Sequence, residues 1–380
     1  MNTTLDSITV QRFRALQGEI IPLVEQDFAG LTPKLEKIIR AFELSQIESI
    51  VFRDRGYAQA SGVGRPELDR CALACAFLAK AELDLKTTRA LMDRLKADRT
   101  LRRLCGFDLR FALPSESTFS RAFDEFATSE LMQRVHAQMI EDNLGEQLIG
   151  HISRDSTAID ARESIAKKDK IEEEAAKALA AKPKRKPGRP KKGEVRPAPD
   201  PSPLERQRGQ TMEEMVAELY TGCATGSKTN AQGYKISWKG YKLHLDTACC
   251  GIPISAILTG ANVHDSRVAL PLIRMSAGRV DVCYELMDAA YCSTVIDEEV
   301  KAVGHVPLID HNPRNGEKRE FAPHEAQRYK TRTGAERCNA RLKDEFGARH
   351  VQVRGHLKVM CHLMMGVVAL CADQLTRLLL

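Results

Sequence analysis

No uninterrupted apolar run in this 380-residue sequence reads as a bilayer-spanning segment. The longest, Val359 to Ala372, is interrupted by His362 and reads as a buried C-terminal helix. The first twenty residues carry Asp6, Arg12 and Arg14 and lack the apolar run of a secretory signal, so a cytoplasmic protein with no membrane partner is expected. Eleven cysteines are present, yet no C-x2-C ladder and no C…H-x3-5-H spacing occurs, which argues against a zinc site and leaves them as small core residues in a reducing compartment. A strong charge imbalance is also missing: 57 Lys and Arg against 51 Asp and Glu give +6, so the placement of cations says more than their total. With 43% hydrophobic and 28% charged residues, the chain has the composition of a globular protein large enough for two domains, each with its own core.

Residues 1–145 read as an all-α domain, with Leu73, Phe77 and Leu78, then Leu91, Leu95, Leu101 and Leu104, at helical spacing. Gly106 and Pro114 punctuate it. Ser115 or Ser117 can then cap a helix whose Phe119, Phe123 and Phe126 form a core stripe and whose outer side shows Thr118, Ser120 and Arg121. Helix, glycine-containing turn and helix make the outline of a DNA-binding helix-turn-helix, an outline that many helical bundles share.

From Leu148 the texture becomes strand, and Asp155 sits inside a β-branched, apolar run where an unpaired carboxylate is costly and a metal is one candidate partner. Residues 164–232 lose periodicity. Within them Lys182 to Pro203 holds seven prolines and eight Lys or Arg, too little apolar surface to order itself. Its Lys184-Arg-Lys-Pro-Gly-Arg-Pro-Lys-Lys192 run is similar to an AT-hook, in which Arg185 and Arg189 would enter a narrow minor groove and Lys191 would meet phosphates. A solvated basic linker or a nuclear-localisation signal would have the same composition. Order is expected again at Gly233, with strands over Tyr234 to Asp246 and Ile252 to Thr259, and a turn in which Asp265 or Ser266 caps the next helix. Val280 to Met287 reads as a central strand ending in Asp288, followed by a helix over Thr294 to Val303 and a strand over His305 to Ile309.

The stretch Tyr329 to Lys343 predicts one helix with Tyr329, Arg332, Glu336 and Lys343 within an arc of roughly 60°, and with Ala335, Cys338 and Leu342 on the opposite, core-facing side. Thr333-x-x-Glu336 is also a capping box, in which Glu336 would only satisfy a backbone N–H.

Taken in order, a strand with Asp155, an insertion, two strands, a helix, a strand ending in Asp288, a helix, a strand and a helix with Glu336 give an α/β layout: a ribonuclease H-like mixed sheet flanked by helices. The all-α domain precedes it, residues 146–163 and 233–380 form it, and the disordered basic insertion 164–232 interrupts it. Three acids on separate elements can hold two divalent ions for an in-line phosphoryl displacement, and hard carboxylate oxygens favour Mg²⁺, with Mn²⁺ as a substitute.

The run Tyr329-x2-Arg332-x3-Glu336-x6-Lys343, with Asp155-Ser-Thr-Ala-Ile and Asp288-Ala-Ala-Tyr291 upstream, resembles the bacterial insertion-sequence DDE transposases of the Tyr-Arg-Glu-Lys signature branch. Leu104-Cys-Gly-Phe107 and Pro114-Ser-Glu-Ser-Thr-Phe119 look like the helical leader of such proteins. The resemblance implies that Asp155, Asp288 and Glu336 are the catalytic, metal-binding triad and that Tyr329, Arg332 and Lys343 contact transposon-end phosphates. It further implies cleavage at the ends of double-stranded DNA, strand transfer into a target, and a homodimer pairing two ends at the nucleoid. Ala290 stands where family members often have glycine, and the hook-bearing insertion is not a general family feature. A nuclease of the same fold without strand transfer, or a non-catalytic DNA-binding protein, would share parts of this pattern.

Overall fold

The computed structural model describes residues 31–55, 69–165, 201–229, 232–313 and 317–379. Arg185, Arg189 and Lys191 of the hook-like run lie outside the described residues. The helical region comprises α1 (Pro33–Ser45), α2 (Ile47–Arg55), α3 (Arg70–Glu82), α4 (Thr88–Ala97), α5 (Arg99–Leu104), α6 (Glu116–Thr128) and α7 (Leu131–Leu144). Polar caps begin several of these helices: Thr32, Asp69, Thr87 and Asp98 each accept a backbone N–H that the first helical turn leaves without a partner. α3 is buried from Ala72 to Glu82 and runs through the middle of the bundle. Phe77 on α3 meets the expected stripe edge-on, with ring centroids 5.8, 5.1 and 6.5 Å from Phe119, Phe123 and Phe126. Residues 105–115 connect α5 to α6, a longer link than the three- or four-residue turn of a helix-turn-helix.

After β1 (Leu148–Asp160) come α8 (Pro203–Gln207), α9 (Met212–Ala217), β2 (Ala224–Thr229), β3 (Lys235–Ala248), β4 (Pro253–Gly260), α10 (Ala269–Ala277), β5 (Asp281–Met287), α11 (Thr294–Ala302) and β6 (Val306–Ile309). The chain closes with α12 (Pro323–Tyr329), α13 (Thr333–Glu345) and α14 (His356–Leu379). β4, β3 and β1 are antiparallel neighbours, β1, β5 and β6 are parallel, and β2 pairs with the start of β3. This six-stranded mixed sheet flanked by helices is a ribonuclease H-like fold.

Four expectations need correcting. Residues 201–229, assigned above to the disordered insertion, are structured: capping boxes at Ser202/Glu205 and Thr211/Glu214 start α8 and α9, and Met215, Leu219 and Cys223 are buried. The helical and sheet regions do not have separate cores. α14 packs against α1, α3, α6 and α7 and also against β4 and α13, so one apolar core runs through both. Its apolar length, sufficient to span a bilayer, is spent inside the protein. His264, rather than Asp265 or Ser266, caps the turn before α10, its Nδ1 accepting the Ser266 N–H at 3.3 Å.

The fourth correction concerns the Tyr329–Lys343 helix, which is interrupted by a 3-10 turn at Lys330–Arg332. The Thr331 hydroxyl donates to the Arg328 carbonyl at 2.6 Å and the Thr333 hydroxyl to the Lys330 carbonyl at 3.3 Å. Side-chain donors thus compete for the carbonyls that a continuous α-helix would use, and Gly334 adds its low helix propensity just beyond.

Candidate active site

Asp155 and Asp288 are brought together by strand register. β1 and β5 are parallel, with Ser153 opposite Leu286, and each aspartate lies two residues further on, on the same side as its pair mate. Neighbouring strands are about 4.8 Å apart, so the two carboxylates project from adjacent positions at the carboxyl end of β5. Asp288 caps the short turn Ala289–Tyr291, accepting the Ala290 N–H at 2.9 Å. Ala290 has no positive φ, so the turn forms without glycine.

α13 crosses this end of the sheet. Ala335, Cys338 and Leu342 are buried beneath it, as the sequence pattern predicts, and Asn339 donates Nδ2 to Asp155 Oδ2 at 3.0 Å. Glu336 is in the first turn of α13 but does not cap it: Thr333 is already helical, and no side-chain cap bond forms at this end. Glu336 Oε1 instead accepts Arg332 Nη2 at 2.9 Å, while Arg332 Nη1 lies 3.9 Å from Asp155 Oδ1. Arg332 therefore joins an acid of the sheet to an acid of the helix. Tyr329 donates its hydroxyl to the Met287 carbonyl at 3.2 Å and stacks on Phe321 at 4.8 Å between centroids. Lys343 is two helical turns beyond Glu336 and half-buried; burial, then the charges of Lys228 and Arg349, lower its pKa. Arg121 lies on α6, its Nε donating to the Ser117 carbonyl at 3.3 Å, outside this cluster.

Burial pushes the Asp155 carboxyl up to about 6, with Asp288 and Glu336 adding to the rise and Arg332 opposing it. Asp288 is raised as well, by burial first and then by Asp265 and Asp310. These acids favour added positive charge, and their hard oxygen donors fit a divalent cation. Among the described residues no three His, Cys, Asp or Glu side chains stand close enough to form a ready-made ion site; the guanidinium of Arg332 stands among the acids.

Several neighbours were not legible as part of this site. Asp265, for which the sequence favours a capping role over a ligand role, forms an ion pair with Lys242 at 2.8 Å. Behind the sheet, Arg154 bonds both oxygens of Asp246, at 2.8 and 2.7 Å, and lies 3.1 Å from Glu285, which in turn meets His305 at 2.8 Å. The one signal for this network is charge inside apolar strands, which Arg154, Asp246 and Glu285 share.

Residues 200–372 match the family model described as Transposase DDE domain, and residues 24–125 match that described as Transposase domain (DUF772). Both models describe transposase domains. No curated protein and no solved structure matches the chain. Asp288 and Glu336 fall inside the transposase DDE segment, whereas Asp155 precedes it and is tied to it by the pairing of β1 with β3 and β5.

Proposed function

We propose that this protein is a transposase that cleaves DNA at transposon ends and transfers the freed strand into target DNA by two in-line displacements, with Asp155, Asp288 and Glu336 as the catalytic acids. The observation that supports this most is the placement of Asp155 and Asp288 on neighbouring parallel strands, with the helix bearing Glu336 held across them by Asn339 and Arg332. The three carboxylates would hold the metal. Divalent ions bound there, Mg²⁺ or Mn²⁺ and two in number, supply Lewis-acid stabilisation of attacking and leaving oxygens. Glu336 is 56% exposed and is bonded, among the described residues, to Arg332, so its side chain is free to turn toward the aspartates. Arg332, beside both Asp155 and Glu336, would neutralise a phosphate that approaches these acids. Tyr329 fixes the backbone at Met287, directly before Asp288, and with Lys343 extends the phosphate-facing surface along α12 and α13. The homodimer, with two DNA ends, is part of the same proposal, as are minor-groove contacts by Arg185, Arg189 and Lys191 and DNA contact by Arg121.

The direct test is incubation with the DNA that flanks its own gene. Cleaved and joined products are expected with Mg²⁺ and none in EDTA. Cleavage without joined product would reduce the reading to a nuclease, and no metal-dependent cleavage would overturn it.

Ion binding should be pH-dependent, because Asp155 must lose its proton to act as a ligand and that proton is held up to about pH 6. Mn²⁺ affinity measured by calorimetry should rise up to about tenfold per pH unit below 6 and level off above it, with proton release detected as a dependence on buffer ionisation enthalpy.

A further inference from the structure

The first part of β3 and all of β2 form a two-stranded ribbon beyond the end of β1. Its register runs from Ala224 opposite Gly240 to Thr229 opposite Lys235, while β1 ends at Asp160 opposite Gly240. The ribbon is well built for so small an element. Trp238 lies over Gly226, where a Cβ would come within 2.3 Å of its ring, and the indole Nε1 donates to the Tyr241 carbonyl at 3.0 Å. Gly240, at φ +153, allows the close pass against β1, since a Cβ there would stand 2.1 Å from the Ile159 carbonyl oxygen.

What the ribbon presents is cationic. Lys228, Lys235 and Lys239 are exposed, Tyr234 and Ile236 are 72% and 46% exposed, and no Asp or Glu occurs from Ala224 to Lys242. Among the described residues none of the three lysines forms an ion pair. Lys228 is also near enough to Lys343 to repel its charge, with Asp160 and Asp344 close by as opposing acids, so the ribbon adjoins α13. We propose that the β2–β3 ribbon is a duplex-DNA-binding arm that extends the phosphate track from α13 onto DNA flanking the cleavage position.

This proposal rests on the transposase reading and adds a surface to it. A two-stranded ribbon fits the major groove, and its three lysines match the phosphate charge. The geometry also sets a distance. Leu245 is opposite Asp155, and Lys239 and Lys235 are six and ten residues along β3 from it, about 20 and 33 Å at a strand rise of about 3.3 Å per residue. At about 3.4 Å per base pair, the arm meets DNA roughly six to ten base pairs from the scissile phosphate. The competing account is that these lysines only protect a sheet edge from pairing with another chain.

The test is a salt titration of binding in EDTA to a duplex taken from the DNA flanking its own gene, comparing the full chain with the variant Lys228→Gln/Lys235→Gln/Lys239→Gln and with Lys235→Gln alone. Each phosphate contact contributes about −0.9 to the slope of log K against log salt, so the triple variant should be shallower by about 2.7 and the single one by about 0.9. Hydroxyl-radical protection at about six to ten base pairs from the cleavage position should weaken in the same order. Unchanged slope and footprint, or self-association of the variants as the only change, would overturn the arm and leave the active-site reading standing. If the unaltered chain binds no duplex even at low salt, both fail together.

Discussion

Asp155→Asn is expected to remove Mg²⁺-dependent cleavage of transposon-end DNA and to leave duplex binding in EDTA intact. The substitution keeps the shape and the bond to Asn339 but takes away one of three anionic oxygen donors. A metal's stabilisation of transition-state charge amounts to several kcal/mol, so a fall on the order of a thousandfold in cleavage rate is expected. The same variant should be no less stable than the original. Asp155 has a folded-state pKa of about 6 against an ordinary 3.8, so its ionisation opposes folding: stability falls as pH rises from 3.8 through 6, and this loss is complete at neutral pH. Asparagine removes that dependence, and without added metal the variant should unfold at higher urea than the original at pH 7, by an amount on the order of 1–3 kcal/mol. A residue that gains stability when neutralised while cleavage collapses is serving chemistry rather than packing. Glu336→Gln separates the roles weighed for that residue in the same way. Since no capping bond is made at the start of α13, this change should abolish cleavage while leaving the urea midpoint close to its original value.

The strands were readable because alternation and apolar runs report burial directly. β4 is buried along its whole length, and Asp288 falls where an apolar run stops. The carboxylates drew notice for different reasons: Asp155 is a charge inside an apolar run, Asp288 ends one, and Glu336 stands on the helix face opposite Ala335, Cys338 and Leu342. What stayed hidden depends on pairs distant in sequence. Residues 201–229 look featureless as a string, because α8 and α9 are short and owe their order to local caps and to Met215 packing with Leu270, Ile273 and Ile296. The break at Lys330–Arg332 arises from hydroxyl–carbonyl competition that helical periodicity cannot register. Arg332 could be placed near phosphate only by resemblance. Its position between Asp155 and Glu336 comes from the docking of α13 on β1, a contact across nearly two hundred residues.

The buried network behind Asp155 carries the second large effect. Arg154 is 1% exposed, Asp246 is fully buried and Glu285 is 1% exposed, and together they span β3, β1 and β5, the strands whose register sets the spacing of Asp155 and Asp288. Burial pulls the Arg154 pKa down, but Asp246 and Glu285 more than reverse this, so the guanidinium stays charged. Ser276 adds a bond to Asp246 at 2.6 Å. Arg154→Met keeps the volume nearly constant, so little cavity penalty enters, yet it takes the guanidinium away from two buried carboxylates, leaving Glu285 with His305 and Asp246 with Ser276. Loss of one partner from such a buried group costs about 3–5 kcal/mol, which a urea midpoint would register. The loss should depend on pH with a definite sign. Burial already raises the Asp246 carboxyl, and without Arg154 to oppose this the folded protein must hold a proton on Asp246 at pH values where the unfolded chain has released it, so stability persists in mild acid and falls as pH rises toward neutral. Replacing Asp246 by leucine in the same chain removes one stranded charge and should recover part of the loss at pH 7, whereas Asp246→Leu alone, leaving Arg154 with Glu285, should cost less than Arg154→Met. Arg154 precedes Asp155 on one strand and points to the opposite face, so disturbance on one side of β1 is felt on the other. The Arg154→Met protein, where still folded, should therefore cleave more slowly at saturating Mg²⁺ although none of the three proposed catalytic acids has changed.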